Sequence, residues 1–230
     1  MKKLEDIVFI IQARLNSTRL PNKMLKPFAG TSLLQISVDQ VKQSVIPKEN
    51  FYLSIRDREL MEFASKNEVN IYERPETSVS NRKILSLSET WDWWDKLPFK
   101  YFILLNACNP LLTFTTINKF VESFRCTRGG LLSVFEHKKW FYTPSGNFPQ
   151  ENLGDQHALT TFNSQWVEPL YSNGPIKGGL MSDIGKEIHV CDFESPPPVF
   201  KYPMEEHYDI DTEEDFVIGE NLYKASRLKN

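Results

Sequence analysis

Between residues 7 and 38 the chain carries four cations, Arg14, Arg19, Lys23 and Lys26, and not one acid. Near its other end the balance reverses: Glu205, Glu206, Asp209, Asp211, Glu213, Glu214 and Asp215 fall within eleven residues. A triphosphate brings about four negative charges, and Arg and Lys side chains with the backbone N–H groups of a tight loop are the physical means of holding it. If the fold brings both segments to one edge, the cations hold phosphates and the carboxylates hold a cation that bridges them. The first segment, Ala13-Arg14-Leu15-Asn16-Ser17-Thr18-Arg19-Leu20-Pro21-Asn22-Lys23, is neither a Walker A loop nor a G-x-G-x-x-G turn. Asn16 is the non-glycine residue there best suited to a left-handed backbone.

Such a loop needs a strand before it and a helix behind it. Apolar runs predict strands over 7–12, 51–55, 101–106 and 131–135. Leu34, Val38, Val41 and Val45 recur at helical spacing behind a cap at Thr31 or Ser32. Further helices are expected over 58–67, 79–96 with its Trp91, Trp93 and Trp94, and 115–125 after Thr113. This order predicts an α/β fold with an open, doubly wound, mostly parallel sheet, in which the loop after the first strand opens at the carboxyl edge where ligands bind. Residues 136–179 turn to aromatics, Asn, Gln, Gly and Pro, with a turn at 145–147, and look like an inserted β-rich arm on a single domain, 1–230. A short strand over 189–192, an extended Pro196-Pro197-Pro198 and a helix over 212–228 follow, with Thr212 and Asp215 as its capping box.

The 230 residues carry 27 Lys plus Arg against 30 Asp plus Glu, a net charge of −3. That excludes a nucleic-acid coat binder or a polybasic membrane anchor as partner classes. With 40% hydrophobic residues the chain can bury a sizeable core, and its longest apolar runs fall far short of the ~20 residues a bilayer span requires. The start, with two acids before a short apolar run, predicts a cytoplasmic protein. Cys108, Cys126 and Cys191 have no paired spacing and are expected as free thiols.

Ala13-Arg14-x-x-Ser17-x-Arg19-Leu20-Pro21-x-Lys23 resembles the N-terminal signature of sugar-acid cytidylyltransferases, which include CMP-sialate, CMP-legionaminate, CMP-pseudaminate and CMP-Kdo synthetases. Arg74-Pro75 after a third short strand, the 104–111 segment, Ser172-Asn173-Gly174-Pro175 and Asp209-Ile210-Asp211-Thr212 extend the likeness in the same order. The resemblance implies a Rossmann-like nucleotide-diphospho-sugar transferase fold and a single reaction: CMP passes from CTP to a keto sugar acid, for surface glycan synthesis, with release of pyrophosphate. It implies Ala13, Arg14, Ser17, Arg19, Lys23, Arg74, Asn106 and Ala107 at the nucleotide, with Arg14, Lys23 and Asp211 catalytic. It also implies Lys138, Lys139 and Asn173 at the sugar, and a homodimer through the arm, where Trp140, Phe141, Tyr142 and Phe162 would be covered. Asp209 and Asp211, two apart in extended chain, point to one side and suit Mg2+ or Mn2+; an Asp before a helix also serves as an N-cap. For Arg19 an ion pair with a neighbouring loop is the other reading, and for Cys108 a low-pKa thiol competes with packing.

Two departures stand out. Cys108-Asn109 replaces an acidic pair of Kdo-type members, which leaves the cation to Asp209 and Asp211. The 76–81 stretch lacks the aspartate of many relatives. No residue declares itself as general base. Three other readings follow from the residues: a nucleotidyltransferase for another sugar or nucleotide, a metal-dependent glycosyltransferase, and a catalytically weak nucleotide-binding subunit. The glycosyltransferase would carry its D-x-D mid-chain, whereas the one here is near the end.

Overall fold

In the computed structural model, residues 1–79, 85–147, 167–190 and 197–228 are described. Strand β1 (Ile7–Gln12) is apolar on both faces, as a strand covered on two sides must be. Its alternation sorts the core: Ile7, Phe9 and Ile11 enter one cluster, Val8 and Ile10 another. The first cluster takes Leu34, Val38 and Val41 of α1 (Leu33–Lys42), Leu60 and Ala64 of α2 (Arg58–Lys66), and Phe120, Val121 and Phe124 of α5 (Phe114–Cys126). The second takes Trp91, Trp93, Met181 and Ile184. Burying a side chain of this size contributes about 1.5–3 kcal/mol, so the two-sided apolar strand commits the chain to three layers. Ser32 caps α1 and Thr113 caps α5 through their side-chain oxygens; Val45 lies beyond α1 and is exposed.

Seven strands form one sheet among the described residues, in the order β3-β2-β1-β4-β6-β5-β7. β2 (Phe51–Ile55), β3 (Asn70–Glu73) and β4 (Tyr101–Leu105) run parallel to β1. β6 (Leu170–Leu180) is antiparallel to both β4 and β5 (Leu131–His137), and β7 (Val199–Lys201) pairs with β5.

The sequence reading placed 136–179 in an inserted arm; its first two residues end β5, and 170–179 belong to β6, a sheet strand between β4 and β5. Its glycines and polar residues hide it, and packing explains one of them: a Cβ on Gly178 would stand 2.9 Å from the Phe124 ring. Residues 138–147 leave the sheet, with Gly146 at φ 83° in the expected turn; Phe162 lies outside the described residues.

The single helix expected over 79–96 is instead α3 (Glu76–Val79), α4 (Leu87–Thr90) and a 3-10 turn, Asp92–Asp95. Trp91 and Trp93 are stacked, 5.9 Å apart, in one buried cluster, and residues two apart cannot share a face of an α-helix. A capping box at Ser86 and Glu89 starts α4 afresh. His189 and Val190 lie outside any strand, and 191–196 lie outside the described residues. α6 (Met181–Ile184) follows β6, and α7 (Glu213–Arg227) closes the chain with Thr212 and Asp215 in the expected capping box.

Candidate active site

The cation-rich loop is pinned at several points. Ala13 N donates to Ser54 O and Leu15 N to Asp57 Oδ2, both at 3.1 Å. The left-handed residue is Asn22, at φ 58°, whose N donates to Leu15 O. Asn16 instead donates through its amide to Val79 O, so the expectation for Asn16 moves six residues along the same loop.

Leu20, Phe28, Leu33 and Ile36 form a third apolar cluster with Ile210 and Phe216. This latch, with Phe28 edge-on to Phe216 at 5.1 Å, sets the acid-rich segment against the loop. Lys26 meets Glu213 across it at 2.5 Å. Ile210 N also donates to Cys108 O at 3.0 Å. Behind the segment, buried Glu206 accepts from Thr113 N, Thr113 Oγ1 and Thr116 Oγ1 at the start of α5.

Lys23 and Arg19 converge on one carboxylate. Lys23, nearly buried at 8% exposure, donates to Ile210 O at 2.8 Å and Asp211 Oδ1 at 3.1 Å. Arg19 Nη1 lies 2.8 Å from Asp211 Oδ2. Burial alone would lower the Lys23 pKa, but neighbouring Cys108 and Asp211 outweigh it and the pKa is raised. Burial lifts the Cys108 thiol to about 11, so it stays protonated near neutrality and packs rather than attacks. The N-cap is Thr212, which frees Asp211 from capping.

Asp209 accepts from Asn106 Nδ2 at 3.3 Å. Its pKa is raised by burial and by the nearby charge of Asp211. Two neighbouring carboxylates whose repulsion shows in this way, with only oxygen donors, suit a hard divalent cation. Among the described residues no group of three or more His, Cys, Asp or Glu forms a ready metal cage. Asp209 and Asp211 are thus the carboxylates a cation could share, with both oxygens of Asp211 already held by Lys23 and Arg19.

A cleft of ≈ 710 Å³ lies over the carboxyl ends of β1 and β4. Of the residues singled out from sequence it brings together Ala13, Arg14, Arg74, Asn106, Asn173 and Asp209. Arg74 is 3% exposed and donates to Ser78 Oγ and Ser78 O; burial lowers its pKa to about 10, with Arg14 adding like-charge repulsion, and it remains a cation at neutral pH.

Lys23, Arg19 and Asp211 meet beside this cleft rather than in its lining. Ser17 is half-buried and outside the lining, and Ala107 is packed in the main core. Lys138 and Lys139 are exposed after β5 and do not line the cleft. Sequence reasoning missed Gln12, Trp91 and Lys177, which do; the signal available for Lys177 was a lone charge in a strand beside two glycines.

A recess of ≈ 30 Å³ adjoins the cleft at Asn106, Asn173 and Asp209 and adds Tyr202 and His207. Tyr202 Oη and His207 Nδ1 are 2.5 Å apart, and the His207 ring stacks on Phe135 at 4.0 Å. Burial, then His137, lowers the His207 pKa, so the imidazole is neutral at pH 7.

The chain is similar to several known proteins. A 59-residue stretch is 44% identical to the spore coat polysaccharide biosynthesis protein SpsF of Bacillus subtilis, covering 24% of this chain and 25% of that one. The match thus spans about a quarter of that relative's length. Among solved structures, a CMP:2-keto-3-deoxy-manno-octonic acid synthetase complexed with CTP superposes with TM-score 0.69 at 10% identity, over 98% of this chain and 100% of the other. A cytidylyltransferase from Leptospira borgpetersenii gives 0.60 at 16% identity, over 97% and 95%. The 4-diphosphocytidyl-2C-methyl-D-erythritol synthase of Anaerococcus prevotii gives 0.66 at 15%, over 99% and 100%. At these identities the likeness is one of fold. No described helix is long and apolar enough to cross a membrane. A family model described as cytidylyltransferase matches residues 8–177, from β1 through the first loop to β6, and the chain belongs to that family of nucleotidyltransferase enzymes.

Proposed function

We propose that the protein transfers CMP from CTP to a keto sugar acid of the sialic-acid kind, releasing pyrophosphate, in the synthesis of a surface glycan. The observation that carries this reading is the convergence of Arg19 and Lys23 on Asp211, beside a cleft that holds Arg14, Asn106 and Asp209. A hydroxyl oxygen of the acceptor attacks the α-phosphorus, the bond from that phosphorus to the bridging oxygen breaks, and pyrophosphate leaves with the electron pair. The hydroxyl proton passes to a base within reach or to solvent. Arg14 and Lys23 neutralise the β- and γ-phosphates, Arg74 and Asn106 orient the base and ribose, and Asn173 faces the acceptor. Such preplaced charges are the main source of catalysis in phosphoryl transfer.

Asp209 and Asp211 would hold Mg2+, which supplies charge neutralisation on the phosphates. Asp211 is at present shared by two cations, so Arg19 is the ligand that a phosphate draws away. The segment after β5, with Tyr142 exposed at 59%, is where a second subunit would pack in a homodimer. The Bacillus relative's name places that protein in coat polysaccharide synthesis, which supports a glycan role, and the synthetase that superposes acts on a keto acid.

The experiment is pyrophosphate release with CTP, Mg2+ and a panel of keto sugar acids, run beside neutral and phosphorylated acceptors. Release with at least one acid is expected. Intact CTP binding without release from any acid would overturn the reading, and release with another acceptor class alone would reassign the substrate.

A further inference from the structure

Asn109, in the turn after β4, is a polar side chain that the fold buries and leaves unused. It is 4% exposed, and its Oδ1 is buried with no hydrogen-bond partner. An amide oxygen that has given up water and gained no donor costs stability, and protein interiors avoid it. Such an atom calls for a partner that arrives from outside the fold.

Asn109 lines the recess of ≈ 30 Å³ beside the cleft, with Asn106, Asn173, Tyr202, His207 and Asp209. Its neighbours there are already engaged: Asn106 accepts from Cys108 N and donates to Asp209, and Tyr202 Oη meets His207 Nδ1. Gly174 draws the wall in close, since a Cβ there would strike Ser133 and Tyr202. The χ2 torsion of an asparagine is broad, so a small turn of the amide brings its oxygen to the recess.

Size and charge narrow the guest. A polar space of this volume takes about one water-sized group, too little for the base, the ribose, a phosphate or an acylamino group. Asp209 is the one acid in the lining and no Lys or Arg joins it, so an anion is repelled. Asp211, the other carboxylate a cation would share, is not in the lining. What remains is a small neutral group that donates a hydrogen bond, and Asn173 lines both the recess and the cleft.

We propose that Asn109 recognises a hydroxyl group of the acceptor, which enters the recess and donates to its Oδ1, and so selects acceptors that carry a hydroxyl at that position. This rests on the transfer of CMP to a sugar acid argued above. The unpaired amide is then a destabilising group that the free enzyme keeps for its complex.

The test pairs stability with kinetics on the full chain, comparing wild type, Asn109→Leu and Asn109→Ala. Leu has nearly the shape of Asn without its polar atoms. The acceptors are the best acid of the panel and its monodeoxy analogues, one for each hydroxyl other than the attacking one. Without ligands, Asn109→Leu is expected to melt at the wild-type temperature or above it, by up to about 2–4 °C. KM for the acid should rise about three- to tenfold in both variants, the range of a neutral hydrogen bond, while KM for CTP stays within about twofold. One monodeoxy analogue should already be that much poorer with wild type and lose nothing further in the variants.

A Leu variant that melts lower, with KM for the acid unchanged, makes Asn109 structural and overturns the assignment. An equal rise in KM for CTP does the same, as does a loss that persists undiminished with every analogue. A change confined to the Mg2+ requirement puts a cation in the recess and also overturns it. If Asn109→Leu does not fold, Asn109→Ala gives the same kinetic comparison. A wild type that binds CTP but turns over no acid fails the functional reading itself and this inference with it, distinguishably, because that failure appears without any substitution.

Discussion

The cation-rich loop and the opposite wall of the cleft share one sheet edge, yet they are assembled in opposite ways. Residues 13–26 are contiguous and carry Arg14, Arg19, Lys23 and Lys26 in one excursion after β1. The opposite wall is gathered from Trp91, Asn173, Lys177, Tyr202 and His207, which lie far apart in the chain. A triphosphate is the same in every reaction of its kind, so a single short loop can hold it. An acceptor varies, and a pocket whose walls come from separate segments can change one wall at a time.

That contrast predicts large losses of turnover from substitutions at the loop and smaller, acceptor-specific effects elsewhere. The largest effect is expected for Lys23→Met, which removes a phosphate-neutralising charge and the bond to Ile210 O; turnover should fall about 10²–10³-fold, measured as pyrophosphate release at saturating CTP. Asp211→Asn comes next, with a loss of about 10²-fold and a melting temperature close to wild type, since the cap is made by Thr212 and Asp215. Lost stability with normal turnover would make Asp211 structural and erase the contrast.

On the opposite wall, Gly174→Ala puts a Cβ 2.4 Å from Ser133 Oγ and 2.5 Å from Tyr202 Cε1. Moving Tyr202 aside should cost about 1–3 kcal/mol in denaturant unfolding and raise KM for the acceptor more than for CTP. Thr212→Ala should lower stability by about 1 kcal/mol and leave turnover per folded molecule nearly intact.

The smallest effect is one of pH. Burial, then Lys177, holds His189 below its usual 6.5, so below that pH the unfolded chain binds more protons than the native one. Stability should therefore rise with pH up to about 6.5 and then level off. Replacing His189 by Asn should flatten the rise seen in melting curves between pH 5 and 7.

What could be read beforehand follows the same division. β1, β2, the caps at Ser32, Thr113 and Thr212, and the loop cations were legible because each depends on neighbours within a few residues. The partner of Arg19 was legible only as a neighbouring loop, and it proved to be Asp211, 192 positions away (211 − 19). β6 escaped because its glycines are demanded by Phe124 and other rings that only the folded sheet brings close. The tryptophan segment misled because 3.6-residue spacing was assumed where two stacked indoles two apart required a tighter turn. Lys177 carries no local mark of its place in the cleft wall; the opposing strand and Trp91 put it there.

The apolar latch has a further consequence. Leu20 and Phe28 are made well before their cluster partners Ile210 and Phe216. Closing so long a loop adds little thermodynamic cost, but the order of synthesis sets a time. Until Ile210 and Phe216 emerge, Lys23 and Arg19 lack their carboxylate and the third cluster stays open to water. The nascent chain can therefore build its whole sheet, through Lys201, before the latch that sets the acid-rich segment against the loop is able to close.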